Sequence, residues 1–439
     1  MAIAPPDTFR LALTGDSIIM RPIAHYRDEP TLRLMELLRE ADVAFTNLEM
    51  LPNGFRGYPA VESGGSHLAG PERLLDDLLA MGFDLFAFAN NHSLDYSIEG
   101  LLASMETLEE HGAAYAGVGR TLAEARMPVY LDSPVASVAL IAGSATFQTG
   151  QEAGDQRPDM HGRPGLNPLR FDTIYHVRPD QLATLREIAG HLGLEAQRLD
   201  KIQLGFGFPP DDPESFPFLD HDFQEAERPS VTTTPKAKDL EAFEAWTREA
   251  NLRADIVVVS IHAHEQGEHK EDPAAFLRAF AHDMIDHGAD VVVGHGPHLL
   301  RGMEFYRGKP IFYSLGNFIG QNELVHKLPA DSYDRFRVEP SKTPGELFRI
   351  RNAGDTKSFA ADSRFWESIV PICVFADGRL KEVELHPVVL GHGEAPHRRG
   401  RPRLAQGEAA NNILDRFATL SKPFGAIITR DGERGIATG

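Results

Sequence analysis

Asp16, Glu49, Asn91, His92, His262, His295 and His298 carry side chains that ligate cations or exchange protons near neutral pH, and each stands at or just beyond the end of a short apolar run. They belong to the clusters Gly15-Asp16, Asn47-Leu48-Glu49, Asn90-Asn91-His92, His262-Ala263-His264-Glu265 and Gly294-His295-Gly296-Pro297-His298. A lone Asp or Asn at a strand end is ordinarily a turn former or a helix cap. A succession of such clusters exceeds what capping explains. Carboxylates, an amide and imidazoles gathered at one sheet edge supply oxygen and nitrogen donors for a divalent cation, and acids and bases as well.

The elements that must position these residues alternate in type. Phe9 to Thr14, Val43 to Thr46 and Phe83 to Ala89 read as strands, with helices near Thr31 to Glu40, Pro71 to Met81 and Ser97 to His111 between or after them. The rhythm resumes with a strand at Asp255 to Ile261, a helix at Pro273 to His287 and strands at Asp290 to Val293 and Ile311 to Ser314. Ile256 to Val259 is apolar on both faces, as a central strand of a covered sheet is. Val370 to Phe375 and Leu380 to Leu385, joined by Asp377-Gly378, predict a hairpin. In such α/β sheets the functional loops lie at the carboxyl ends of the strands, where the polar clusters stand.

The pattern breaks between residues 146 and 235, which are rich in proline and polar residues, and again between about 321 and 368. The expected organisation is one domain over residues 1–439 with an irregular inserted lid or substrate wall at 146–235 and a second irregular insertion at 321–368.

Composition narrows the function. Hydrophobic residues make up 42% and charged residues 25% of the 439 positions, enough for a large core. A formal charge of −20 without a Lys/Arg cluster in the regular segments removes the electrostatic footprint of a nucleic-acid binder. The single cysteine, Cys373, lies in an apolar run and excludes disulfides, thiolate metal sites and a two-cysteine acid–base pair. Met1 to Arg10 shows no leader pattern and no long apolar stretch follows, so the chain reads as cytoplasmic, without a membrane partner.

Gly-Asp, Asn-x-Glu, Asn-Asn-His and Gly-His-x-Pro-His, followed by IFYSLGNF at Ile311 to Phe318, resemble the CapA family named for poly-γ-glutamate capsule synthesis, itself similar to calcineurin-like metallophosphatases. The resemblance covers about residues 9 to 145 and 252 to 320. It implies an α/β metallophosphatase sandwich, metal contacts from Asp16, Glu49, Asn91, His262 and His298, and His92 and His295 near the reacting atoms. Asp95, a short step beyond His92, is placed to orient that imidazole.

Departures from the phosphatase pattern are equally informative. Ile18 stands where that pattern has a histidine, Asn47 and Glu49 stand where it has a bridging aspartate, and His295 and His298 are spaced His-x-x-His instead of His-x-His. Two-metal phosphoester chemistry needs ions about 3.5–4 Å apart with a shared ligand. The altered set favours one divalent ion, with Ca²⁺, Mg²⁺ or Mn²⁺ preferred over Zn²⁺ and no organic cofactor.

Within the CapA-like group the chain is similar to peptide epimerases associated with lasso peptides, which invert the C-terminal residue of a ribosomal precursor. That likeness implies a metal-dependent peptide epimerase with a peptide partner, in which His92 paired with Asp95 and His295 paired with Asp16 serve as acid and base. A metal-dependent phosphoesterase or poly-γ-glutamate amide hydrolase, and a non-catalytic capsule assembly protein, are the alternatives.

Other residues carry plainer readings. Gly117-x-Gly119 is a turn and not a dinucleotide fingerprint. His264, Glu265, Glu268 and His269 either extend the metal cluster or are solvated. Phe206, Phe208, Phe216 and Phe218 either line a substrate pocket or pack beneath a lid, and Arg157, Arg163 and Arg170 are candidates to hold a substrate carboxylate, with solvation as the plainer alternative. The sequence shows no oligomeric state.

Overall fold

The computed structural model describes residues 8–439, so the part of the leader reading that rests on residues 1–7 lies outside it. The strand Thr8–Ile18 lies at the centre of the larger sheet, parallel to Val43–Leu48 on one side and antiparallel to Glu367–Ala376 on the other. Leu85–Ala87 and Ala114–Ala116 extend the parallel half, while Arg379–Val389, Arg434–Thr438 and Ile427–Asp431 extend the antiparallel half. A second sheet places Ile256–His262 between Ser137–Ser144 and Val291–His295, all parallel, with Lys309–Leu315 beyond.

Alternation along these strands decides which side chains meet. Leu11, Leu13 and Phe45 of the first sheet pack against Leu140, Val258 and Val293 of the second in one core between the sheets. The opposite face of the first sheet is covered by helices Glu29–Arg39, Arg73–Met81 and Ser97–Glu110 through Leu34, Leu78 and Leu101. Val257, Val259 and Val292 on the far face of the second sheet meet Phe243 and Phe280, whose rings pack edge to face at 5.1 Å, from helices Ala237–Asn251 and Ala275–Asp286. Helix, sheet, sheet and helix thus form the α/β sandwich that the alternating sequence pattern predicts. The late hairpin forms too, with Asp377 and Gly378 both at positive φ (52° and 66°), the backbone that a tight hairpin turn requires. Cys373 is fully buried between the sheets. Among the described residues no helix is long and apolar enough to cross a membrane.

The stretch expected to be irregular, 146–235, is more regular than its sequence suggests. Phe171–Val177, Phe216–Phe218, His221–Glu225 and Ser230–Pro235 form a small sheet, against which helix Pro179–His191 packs, with helix Leu194–Gln203 beside that helix. Helix Leu194–Gln203 buries none of its residues, so no apolar stripe marks it in the sequence. Phe216 and Phe218 pack in the satellite core of this unit, whereas Phe206 and Phe208 are 82% and 87% exposed. None of these rings lines the cleft described below. The 321–368 stretch likewise forms short helices, Ala330–Phe336 and Pro344–Arg351, whose Tyr333, Leu347 and Phe348 join the main core.

Asp239, fully buried, fastens the inserted unit to the sandwich. Its carboxylate accepts hydrogen bonds from Arg126 at 2.8 Å and from Arg170 at 2.7 and 2.8 Å. Arg170 is therefore committed to this bridge and is not available to a substrate; Arg163 donates to the Glu152 carbonyl and Arg157 pairs with Asp159 on the surface. Asp239→Ala strands the nearly buried Arg126 without its counter-charge and is expected to cost about 3–5 kcal/mol, read as a fall in the unfolding midpoint. An unchanged midpoint would show that the bridge contributes nothing to anchoring.

Candidate metal centre

Asn47, His262 and His295 occupy the inward-facing positions that follow Phe45, Ser260 and Val293 on their strands, so the same alternation that builds the core delivers them between the sheets at the carboxyl edge. His262 and His295 are register partners on adjacent parallel strands. The His295 ring sits 5.6 Å from that of Phe45, where apolar core gives way to polar site.

Asp16 reaches the same place through an irregularity. The register of Thr8–Ile18 against Val43–Leu48 shifts between Leu13 and Asp16, and the backbone of Gly15 passes so close to Gly316 that a Cβ at Gly15 would lie 1.8 Å from the Gly316 carbonyl oxygen. Asp16 then accepts hydrogen bonds from Asn47 Nδ2 at 2.8 Å and from the Gly296 N–H at 3.1 Å. Burial pushes the Asp16 carboxyl upward, but the neighbouring imidazoles, His298 at 3.5 Å first and then His295 and His262, outweigh burial and hold it far below the usual carboxylate range. Asp16 is ionised at neutral pH.

Glu49 lies in the same cluster without such help. It is fully buried, and neither side-chain oxygen has a hydrogen-bond partner. Burial, together with the nearby negative charges of Asp16 and Asp95, pushes its carboxyl well above the ordinary value. A carboxylate in this setting requires a positive partner. Glu49, His264 and His298 each offer a donor atom, all within 4.8 Å of one another. Asn91, whose side-chain oxygen and nitrogen are also buried and unpartnered, adds a further candidate donor. These orphaned oxygens and nitrogens fit a divalent cation, whose charge balances Asp16 and Glu49 together.

The imidazoles are in the right form to ligate. Burial, and next the neighbouring His264, push His262 well below its ordinary value; burial lowers His264 to about 3, and burial lowers His295 to about 4 against the opposing pull of Asp16. Each therefore keeps a lone pair at neutral pH. His262 Nε2 lies 3.8 Å from Glu49 Oε1 and 3.1 Å from His264 Nε2. His298 Nδ1 lies 2.9 Å from Asn317 Oδ1, 3.5 Å from Asp16 Oδ2 and 3.7 Å from Glu49 Oε2, on a backbone held at φ 60°. Positive φ at a non-glycine residue is strain of the kind found at functional sites.

His92 is held differently. Its Nδ1 lies 2.7 Å from Asp95 Oδ2, which also accepts the Leu68 N–H at 2.7 Å. With the carboxylate accepting, Nδ1 carries the proton and Nε2 presents a lone pair, 3.9 Å from Glu49 Oε1. His295 is only 3.6 Å from Asp16 Oδ1, longer than a hydrogen bond, and both its ring nitrogens are buried without partners.

A cleft of about 260 Å³ opens onto this group. His92, His264 and His298 line it, with Lys270, Arg351 and Phe359 among its walls. His262 and His295 do not line it and are 1% exposed. Arg351 and Phe359 come from the 321–368 segment, so that stretch, and not residues 171–235, forms this wall.

The model of the family described as "Bacterial capsule synthesis protein PGA_cap" matches residues 10–322. The chain belongs to this family. An uncharacterized protein of Sinorhizobium fredii, y4sH, is 34% identical over 98% of this chain and 93% of its own. The capsule biosynthesis protein CapA of Bacillus anthracis is 26% identical over 58% of this chain and 44% of its own, and the PGA biosynthesis protein CapA of Bacillus subtilis is 48% identical over a shorter stretch, 18% of this chain and 21% of its own. A hypothetical protein of Thermus thermophilus covers 86% of this chain, and 98% of its own, with 14% identity and a TM-score of 0.39.

The sandwich is thus the metallophosphatase-like fold of the PGA_cap family, and the matched range includes every clustered donor from Asp16 to His298. Asp16, Glu49, Asn91, His92, Asp95, His262, His295 and His298 gather at one end of the two sheets. His264, left between ligand and solvated residue by the sequence, lies inside the group, and Glu265 is held by Thr146, whereas Glu268 and His269 are exposed. Arg301 has no motif to announce it: fully buried, it donates to the carbonyls of His264 at 3.3 Å and Lys270 at 3.1 Å and so fixes both ends of the 264–270 loop. An arginine inside the apolar strand run Leu299-Leu300-Arg301-Gly302-Met303 was the available signal.

Gly296 illustrates how tightly this PGA_cap site is built. Its φ is 111°, and a Cβ there would come within 2.7 Å of His264 Cδ2. Gly296→Ala is expected to cost about 1–3 kcal/mol of stability. It should also displace the His264 ring, so cation affinity measured by titration calorimetry falls with it. Unaltered affinity would show that His264 is not needed at the site.

Proposed function

We propose that this protein is a single-cation enzyme that moves protons on a peptide substrate, inverting a Cα centre, with the C-terminal residue of a ribosomal precursor as the substrate position. The observation that carries this reading is the His92–Asp95 pair at 2.7 Å, opening on the same cleft as the Glu49, His264 and His298 group. Glu49, His264 and His298, with Asp16, Asn91 and His262 around them, would hold a divalent cation, whose positive charge would stabilise negative charge developing on a substrate oxygen.

In the Nδ1–H tautomer that Asp95 favours, His92 Nε2 accepts the Cα proton. The electron pair left on Cα moves onto the adjacent C-terminal carboxyl group. Asp95 stabilises the resulting imidazolium and fixes the ring's direction. Inversion requires a second proton carrier that returns a proton to the opposite face of Cα as the carboxyl group re-forms; His298 is taken by the cation, which leaves the Lys270 ammonium in the cleft lining, whereas the buried His295, expected from the sequence to serve with Asp16, does not line it.

That last observation favours a second reading, amide hydrolysis, for which one carboxylate-steered imidazole suffices. Incubation of the cation-loaded protein in D₂O with synthetic peptides ending in a free carboxylate separates the two. Epimerisation predicts an intact peptide with deuterium at one Cα and a D-residue on chiral analysis, lost in His92→Ala. Shortened peptides without Cα deuterium would replace this reading with hydrolysis.

A further inference from the structure

The segment that supplies Arg351 and Phe359 also carries matched charges, which lie outside the cleft lining. Arg399 pairs with Glu323 and Asp355, and Arg364 with Asp362 and Glu271. Glu323 is further occupied by Asn352, whose Nδ2 donates to it at 2.7 Å. Arg351 and Lys270 are the exceptions: both line the cleft, and among the described residues neither forms an ion pair. Their contacts fix their positions without neutralising them. The Arg351 guanidinium lies 4.6 Å from the ring centroid of Phe336 and 5.8 Å from that of Phe348, and its Nη1 donates to Ser66 Oγ at 3.2 Å. Lys270 Nζ stands 4.6 Å from the centroid of Phe365, and its backbone carbonyl is held by Arg301.

Arg351 is half-buried, and burial, with the neighbouring charge of Arg335, lowers its pKa. The charge of Glu323 reaches Arg351, but that carboxylate is held by Arg399 and Asn352, and a partly desolvated guanidinium with no carboxylate in ion-pair range is suited to an anion brought from outside. Its planar fork suits a carboxylate, and Lys270 adds a second positive charge on the same cleft.

We propose that Arg351 and Lys270 form a carboxylate-binding subsite beside the metal group, which seats a free carboxylate of the peptide substrate. This deepens the peptide reading above and rests on it. The carboxylate is either the C-terminal one or that of a glutamyl side chain. Arg157, Arg163 and Arg170, the sequence's candidates for this task, are engaged elsewhere.

Titration calorimetry on the full-length, manganese-loaded protein tests the subsite with acetyl-tetra-alanine, its C-terminal amide, an acetylated peptide amide containing one glutamate, and inorganic phosphate. The acid is expected to bind at least tenfold more tightly than the amide, and the glutamyl peptide amide reports whether a side-chain carboxylate serves as well. Arg351→Met and Lys270→Met should each erase the preference while leaving manganese content per chain unchanged. Equal binding of acid and amide, no binding of either carboxylate probe, stronger binding of phosphate than of both, or variants that keep the preference would overturn the subsite. Loss of manganese from the wild-type protein would instead count against the metal-centre reading.

Discussion

Glu49→Gln is expected to abolish cation-dependent stabilisation and to raise the melting temperature of the cation-free protein. The two effects share one cause. In the folded chain Glu49 is fully buried, with both oxygens unpartnered and with Asp16 and Asp95 nearby. Without a cation the carboxylate is a liability that the isosteric amide removes. With a cation it is a donor that the amide cannot replace in charge. A ligand present at 100 times its Kd stabilises the fold by about 2.7 kcal/mol, and the wild-type melting curve should move by that amount while the variant's stays in place. The loss in affinity should exceed the roughly 10–100-fold cost of deleting an outer partner. Thermal melts with and without manganese make the comparison; a variant whose midpoint still rises with manganese would remove Glu49 from the site.

His92→Ala is expected to lower turnover by roughly 10²–10⁴-fold while cation content stays at the wild-type level. The separation follows from geometry: His92 Nε2 is 3.9 Å from Glu49, outside the Glu49, His264 and His298 group, and its Nδ1 is committed to Asp95. Asp95→Asn tests the same dyad from behind. The amide keeps the shape but no longer stabilises the imidazolium, so kcat should fall with little change in KM. Asp95 also accepts the Leu68 N–H, and a neutral acceptor there is retained in the amide, which keeps the fold cost small. Steady-state kinetics with parallel metal analysis distinguish the roles. A loss of cation equal to the loss of turnover in His92→Ala would make His92 a ligand instead of a base.

The sandwich was legible where period and burial agree. Ile256 to Val259 announced a strand covered on both faces because it is one, and Asp377-Gly378 announced its hairpin because both residues adopt positive φ. Convergence of the site was legible for a related reason: Asn47, His262 and His295 continue the inward alternation of their strands. Helix Leu194–Gln203 was not legible, because a helix with no fully buried residue leaves no stripe. Nor was the cleft wall: Arg351 and Phe359 act through contacts with Ser66 and His298, both distant in the chain, and nothing in local spacing encodes them. His295 shows the same limit in reverse, since its motif marks it for the site but burial, which spacing does not report, keeps it off the cleft.

Anomalous diffraction from crystals grown with Mn²⁺ measures the central claim directly. A single peak per chain is predicted, within about 2.0–2.6 Å of donor atoms of Glu49, His264 and His298, the range of cation contacts to oxygen and nitrogen. Two peaks about 3.5–4 Å apart would restore a two-metal centre, and no peak among these residues would contradict the single-cation account altogether.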